Sequence, residues 1–178
     1  MCGRYYFVFD EKKEGFLKQV VSQLSLYNFE QGEIFPNQMA LTLIKEQETI
    51  KAKTLKWGID SFQNKVLINA RNETKKEKKT FAKMDRCVIP CNGFFEWKKV
   101  GSTKKKIFIQ KKEQDLVYLA GLCNQDHFVI LTSEAELEMK KVHHRTPLIL
   151  DEKQMKAYLE EAYEPCTDNE NLLFTLKE

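Results

Sequence analysis

Four residues of this chain carry reactive groups in settings where such groups are either costly or chemically special. The first is Cys2. With Met1 removed it would hold an α-amine and a thiol two carbons apart. That pair condenses with an aldehyde, the amine forming a Schiff base and the sulfur closing it into a five-membered thiazolidine. The bland alternative is a small residue after the start codon with no role. Glu96 lies in Gly93-Phe94-Phe95-Glu96-Trp97-Lys98. A carboxyl among aromatic rings has its pKa raised by desolvation, as a general acid or base working near neutrality requires; an edge-strand glutamate paired with Lys98 is the alternative. His143, followed by His144-Arg145-Thr146-Pro147, offers an imidazole that can shuttle protons at physiological pH, unless it is simply exposed or satisfied in the core. Asn69, in Ile68-Asn69-Ala70-Arg71, has an amide able to position a carbonyl, or to close a turn on its own backbone.

The chain has four arginines, Arg4, Arg71, Arg86 and Arg145, against 25 lysines. Lysine thus serves wherever generic charge suffices. Guanidinium grips phosphate or carboxylate through a planar fork that ammonium lacks. Arg4, Arg71 and Arg145 each fall two residues after Cys2, Asn69 and His143. Residues two apart in extended chain share a face, which sets a phosphate grip beside each reactive group.

These groups must be positioned by strands. Tyr5 to Phe9 reads as a short strand, followed by Phe16, Leu17, Val20, Val21 and Leu24 at helical spacing. After the Phe35-Pro36-Asn37 break, Met39 to Ile44 and Thr49 to Ile59 form a hairpin candidate around Lys45 to Glu48. Glu73 to Lys83 is a charged helix or loop. Cys87 to Trp97, uncharged between Cys87 and Phe95, must be largely buried. Strands follow at Lys106 to Lys111, Leu116 to Leu122 and Phe128 to Thr132, with Gly101-Ser102 turning into the first of them. Helices are expected over Glu134 to Val142 and over Asp151 to Tyr163, the latter with Asp151 as N-cap. The expected class is α+β: a single domain, mainly antiparallel strands forming a barrel-like core with a few peripheral helices.

Composition narrows the function classes. With 178 residues, 42% apolar and 31% charged, the chain suits one globular core. No apolar run reaches the roughly 20 residues of a membrane helix, and Met1 to Asp10 has no signal-peptide pattern, so no membrane partner and a cytoplasmic location are expected. Five cysteines, an odd number, argue for reduced thiols rather than a disulfide scaffold. A net charge of +3 says little by itself about nucleic acid.

Cys2-Gly3-Arg4, Asn69-Ala70-Arg71 with Glu73-Thr74, Arg86-Cys87 leading through Pro90 to Gly93-Phe94-Phe95-Glu96-Trp97, and His143-x-Arg145-x-Pro147 resemble, in this order and over nearly the whole chain, the motifs of the SOS-response-associated peptidase (SRAP) family. The resemblance implies one domain over residues 1–178, loss of Met1 by autocatalytic or assisted cleavage, and capture of an abasic site in single-stranded DNA by Cys2 as a thiazolidine crosslink. In that scheme Cys2 is the nucleophile, Asn69 orients the reacting amine, Glu96 transfers protons and His143 promotes sugar ring opening or Schiff-base chemistry. The same groups could support β-elimination or crosslink reversal. Gly3, Arg4, Pro36, Trp57, Arg71, Thr132 and Arg145 would line the DNA groove, the arginines clamping phosphates and Trp57 stacking an unstacked base. A monomer without cofactor or metal is implied.

The chain departs from the family pattern at Ala82, where an arginine is usual after Phe81; Lys83 or Arg86 could replace it. Thr146 and Cys91 also depart, away from the chemistry. Three rival readings use the same residues. One is a cysteine peptidase acting in trans through Cys2 and His143. Another is a metal site on Cys87, Cys91 and the two histidines, although CxxxC on a buried strand is poor zinc geometry. The last is a non-covalent single-strand-binding module.

Overall fold

The segments that alternate apolar and polar residues become strands in the computed structural model, which describes residues 2–13, 15–24, 28–61 and 65–177. β1 (Arg4–Phe7) precedes the short helix α1 (Phe16–Val21), whose Leu17, Val20 and Val21 are buried. Next come β2 (Gly32–Ile34), β3 (Met39–Glu46) and β4 (Thr49–Trp57). The short strands β5 (Ile59–Asp60), β6 (Val66–Leu67) and β7 (Asn69–Arg71) lead towards β8 (Asp85–Cys91), β9 (Gly93–Val100) and β10 (Thr103–Lys111). β11 (Val117–Cys123) and β12 (His127–Glu134) are followed by α2 (Leu137–Lys140), β13 (Arg145–Pro147) and β14 (Ile149–Leu150). Helix α3 (Glu152–Leu159) and β15 (Leu172–Lys177) complete the described chain.

Two main sheets share these strands. The first runs β15-β10-β9-β1-β2 and is antiparallel throughout. The second runs β13-β12-β4-β3-β8-β11-β14, and a further pairing of β11 with β12 brings it round on itself. The fold is therefore α+β, mostly antiparallel, with a barrel-like sheet and small peripheral helices. β1 lays Tyr5 and Phe7 onto that barrel. Tyr5 meets Trp57 edge-on at 5.3 Å, and Trp57 stacks on Phe128 at 6.2 Å, so the two sheets close over one aromatic core.

Several expectations need adjustment. The buried stretch from Cys87 to Trp97 is two strands in different sheets, split at Asn92. Asn92 makes the corner: its N–H donates to Tyr6 O at 2.8 Å, and its side chain accepts from Val8 N at 2.7 Å. The charged Glu73 to Lys83 stretch is turns, with one 3-10 turn at Asn72–Thr74. α2 covers only Leu137–Lys140 of the helix expected from Glu134 to Val142, because Glu134 stays in β12 and pairs with Arg145. α3 is capped as expected, and Gln154 completes a capping box with Asp151. No helix among the described residues is long and apolar enough to cross a membrane.

Candidate active site

Cys2 precedes β1, and β1 lies between β2 and β9 with Arg4 opposite Phe95 and Tyr5 opposite Phe94. Continuing that register puts Glu96 across from Gly3. Cys2 is fully buried, its Sγ lies 3.6 Å from Arg4 O, and the Asn69 amide donates to Cys2 O at 2.9 Å. Asn69 thus holds the carbonyl of Cys2, and among the described residues its buried Oδ1 has no hydrogen-bond partner. Burial pushes the Cys2 thiol well above its ordinary pKa, and negative charge on Glu96 and Cys91 pushes it further. Met1 lies outside the described residues.

Glu96 is 2% exposed. Burial raises its pKa, against the lowering pull of the positive chain terminus and the Trp97 backbone. A carboxyl in this setting takes and releases protons closer to neutrality than a surface glutamate does. Cys91, a neighbour that sequence reasoning set aside, donates its thiol to Gly93 O at 3.0 Å and is pushed up to about 12 by burial. It is a thiol at neutral pH.

His143 follows α2, where its N–H bonds Met139 O at 3.0 Å. Its Nδ1 lies 3.0 Å from the Arg145 backbone N–H and 3.3 Å from Arg145 O, so the Arg145 backbone fixes the orientation of the ring. Burial lowers its pKa, and the positive chain terminus and His144 add to the effect. Neutral imidazole is the resulting form near pH 7. The His144 ring stacks on it at 4.4 Å.

The arginines separate into different roles. Arg4 is half-buried, bonds Glu33 at 3.1 Å, and lies over the rings of Phe35 at 4.4 Å and Trp97 at 5.0 Å. Arg71 is exposed beside Lys140 and His144 in a shallow cationic cleft. Both suit a phosphate. Arg145 does not: it is 4% exposed, and its fork holds Glu73 at 2.8 and 2.9 Å and Thr132 O at 2.5 Å. The anion it holds is Glu73 of the same chain, so it braces the segment carrying His143. Thr132 is likewise buried and accepts from Arg145 at 3.2 Å, so it cannot line an open groove. Arg86, offered as a replacement for a missing arginine, is bound to Tyr158 O at 3.1 Å, Tyr163 O at 2.8 Å and the Glu164 carboxylate. Lys83 remains exposed.

Trp57 is also corrected. It is fully buried, and its Nε1 donates to Ile68 O at 3.0 Å, so neither ring face is open to a base. The accessible aromatic surface is instead Phe35 and Trp97 around Arg4, next to the half-buried Pro36. Sequence reasoning missed this pair; the signal was the strand alternation that puts Trp97 on the opposite face from Glu96. The residues of the metal alternative do not gather, since among the described residues no three His, Cys, Asp or Glu side chains are placed to hold an ion. A groove beside Phe7, Phe9, Phe16 and Tyr118 lies at the other end of β1 and includes none of the reactive groups.

A buried Cys2 beside Glu96, braced by Asn69, is an arrangement built around the start of the chain. The profile of a family described as SOS response associated peptidase (SRAP) matches residues 1–178. The chain belongs to the SRAP family. Relatives of this SRAP chain include the abasic site processing protein YoqW of Bacillus subtilis (strain 168), 30% identical over 89% of this chain and 80% of its own length. The abasic site processing protein YedK of Escherichia coli (strain K12) is 25% identical over 89% of this chain and 79% of its own. The SRAP fold is shared with a crystal structure of a Bordetella bronchiseptica protein at a TM-score of 0.80, with 16% identity, covering 99% of this chain and 100% of that one.

Proposed function

We propose that this SRAP protein processes abasic sites in single-stranded DNA by capturing the sugar aldehyde on Cys2. The observation that carries the reading is the burial of Cys2 against Glu96, with Asn69 holding its carbonyl. The names of the relatives support the same substrate.

The chemistry proceeds in two stages. Water first hydrolyses the Met1–Cys2 bond, its oxygen going to the methionine carboxyl and the nitrogen becoming the Cys2 amine. Glu96 serves as the base for the attacking water, and the leaving nitrogen takes the proton back from it. The amine then adds to the aldehyde carbon of the ring-opened sugar and water leaves. The Cys2 sulfur bonds to the resulting C=N carbon while a proton goes to nitrogen, closing the thiazolidine. The free acceptor Oδ1 of Asn69 suits the amine, and the neutral ring of His143 suits carrying the proton of the anomeric hydroxyl to the ring oxygen as the closed sugar opens to the aldehyde. Glu96 takes the thiol proton, which the raised thiol pKa would otherwise retain. Arg4 and Arg71 hold phosphates on either side, and Phe35 and Trp97 offer rings to bases displaced around the lesion.

The test is denaturing electrophoresis of the protein after incubation with single-stranded DNA bearing one abasic site. A slow-migrating species is expected with the native chain and is absent with Cys2→Ala or with undamaged DNA. Non-covalent binding that survives in Cys2→Ala while no chain, native or altered, forms that species would replace this reading with a plain binding module.

A further inference from the structure

We infer that the β9–β10 hairpin is a second DNA-contacting element, gripping the phosphate backbone that flanks the lesion. The inference rests on the reading of DNA as the substrate. Between Glu96 and Glu113 the chain has seven lysines and no acidic residue. Four of them form the outer part of the hairpin, where Lys98 pairs with Lys105 and Lys99 with Lys104. Like charges directly opposite each other destabilise a hairpin. Among the described residues no carboxylate forms an ion pair with any of the four.

Another long hairpin shows the contrast. In β3–β4, Lys51 and Lys53 both bridge Glu46, and Lys45 bridges Glu48. Next to the proposed DNA-gripping lysines, Lys106 already has a carboxylate partner in Glu33 at 2.7 Å, which it shares with Arg4. Within β9–β10 the lysines without a carboxylate partner are therefore the four at its outer end, which a tight turn at Gly101, with a φ of 61°, holds as two extended arms.

The hairpin is also placed to reach DNA at the site. Alternation puts Lys98 and Lys105 on the face of Glu96, and Lys99 and Lys104 on the face of Trp97. Each set begins about 7 Å beyond the site residue on its own face. Lys99, Lys104 and Lys105 are exposed. A polyanion leaving the Cys2 site along this strand meets lysine on both faces, and continuity with Arg4 and Trp97 makes one cationic track.

The experiment measures equilibrium binding, by fluorescence anisotropy, of oligonucleotides carrying a non-reactive abasic analogue. One is short, about 4 nucleotides, and one long, about 16. Replacing all four lysines by glutamine should weaken the long oligonucleotide tenfold or more and leave the short one nearly unchanged. It should also flatten the salt dependence by about 0.7 in log–log slope for each phosphate no longer neutralised. Lysine to arginine at the same positions should restore long-oligonucleotide affinity, and the glutamine variant should melt no lower than the native chain. Wild-type affinity and slope for the long oligonucleotide in the glutamine variant would overturn the inference while leaving the proposed function intact. Failure of the native chain to bind either oligonucleotide would overturn both.

Discussion

Burial raises the Glu96 pKa, so the folded chain holds that proton more tightly than the unfolded chain does. The stability this contributes is full below the ordinary value of 4.5 and is lost as pH rises through the raised value. Glu96→Gln keeps the shape and removes the charge. It should raise Tm at pH 7 by about 2 to 4 °C, with the gain shrinking as pH falls through the raised value and absent below 4.5, while slowing capture by about 100-fold or more. Arg145→Ala should act in the opposite way. It removes a buried guanidinium from Glu73 and Thr132 and should cost about 3 kcal/mol in urea unfolding, at the low end for a buried pair because Glu73 is half exposed. The burial of Glu96 was legible in the sequence because its carboxyl is set among aromatic residues on a strand. Arg145 was not: an arginine looks the same in sequence whether its anion is a phosphate or Glu73, 72 positions away. Trp57 was misread for a similar reason, since residue type does not say which sheet covers it.

At the scale of elements, β9 carries Glu96, Trp97 and one lysine of each pair, so its seating decides the site. Gly93 begins it where no side chain fits. A Cβ there would come within 2.5 Å of the Phe108 ring and 2.8 Å of Ile109 O, and the backbone oxygen cannot turn aside. Gly93→Ala should therefore cost about 1 to 3 kcal/mol by thermal unfolding, and should slow capture even where the chain remains folded. The hairpins and α3 were legible from turn residues and from Asp151, since these signals are local. β15 was not. It is an edge strand on β10 whose Leu173 and Leu176 are about half exposed, so its apolar pattern does not alternate with burial. The division at Asn92 was hidden as well, because both strands it separates are apolar.

Across the whole molecule, two sheets meet at the start of the chain. β1 belongs to the first sheet, Asn69 to a strand paired with the second, and the two are tied by the bond from Asn69 to Cys2 O. Glu96 comes from the first sheet, and His143 from the segment braced on the second through Arg145. Such convergence depends on pairings between distant parts of the chain and could be expected only from the order of the motifs, not from any one of them. The central claim is that Cys2 joins to an abasic sugar through both its nitrogen and its sulfur. Intact and peptide mass spectrometry after reaction with abasic single-stranded DNA, without added reductant, tests it most directly. The predicted product lacks Met1, weighs as much as protein plus DNA less one water, and maps to Cys2. An adduct on a lysine, one that needs reduction to survive, or one that still forms in Cys2→Ala would contradict it.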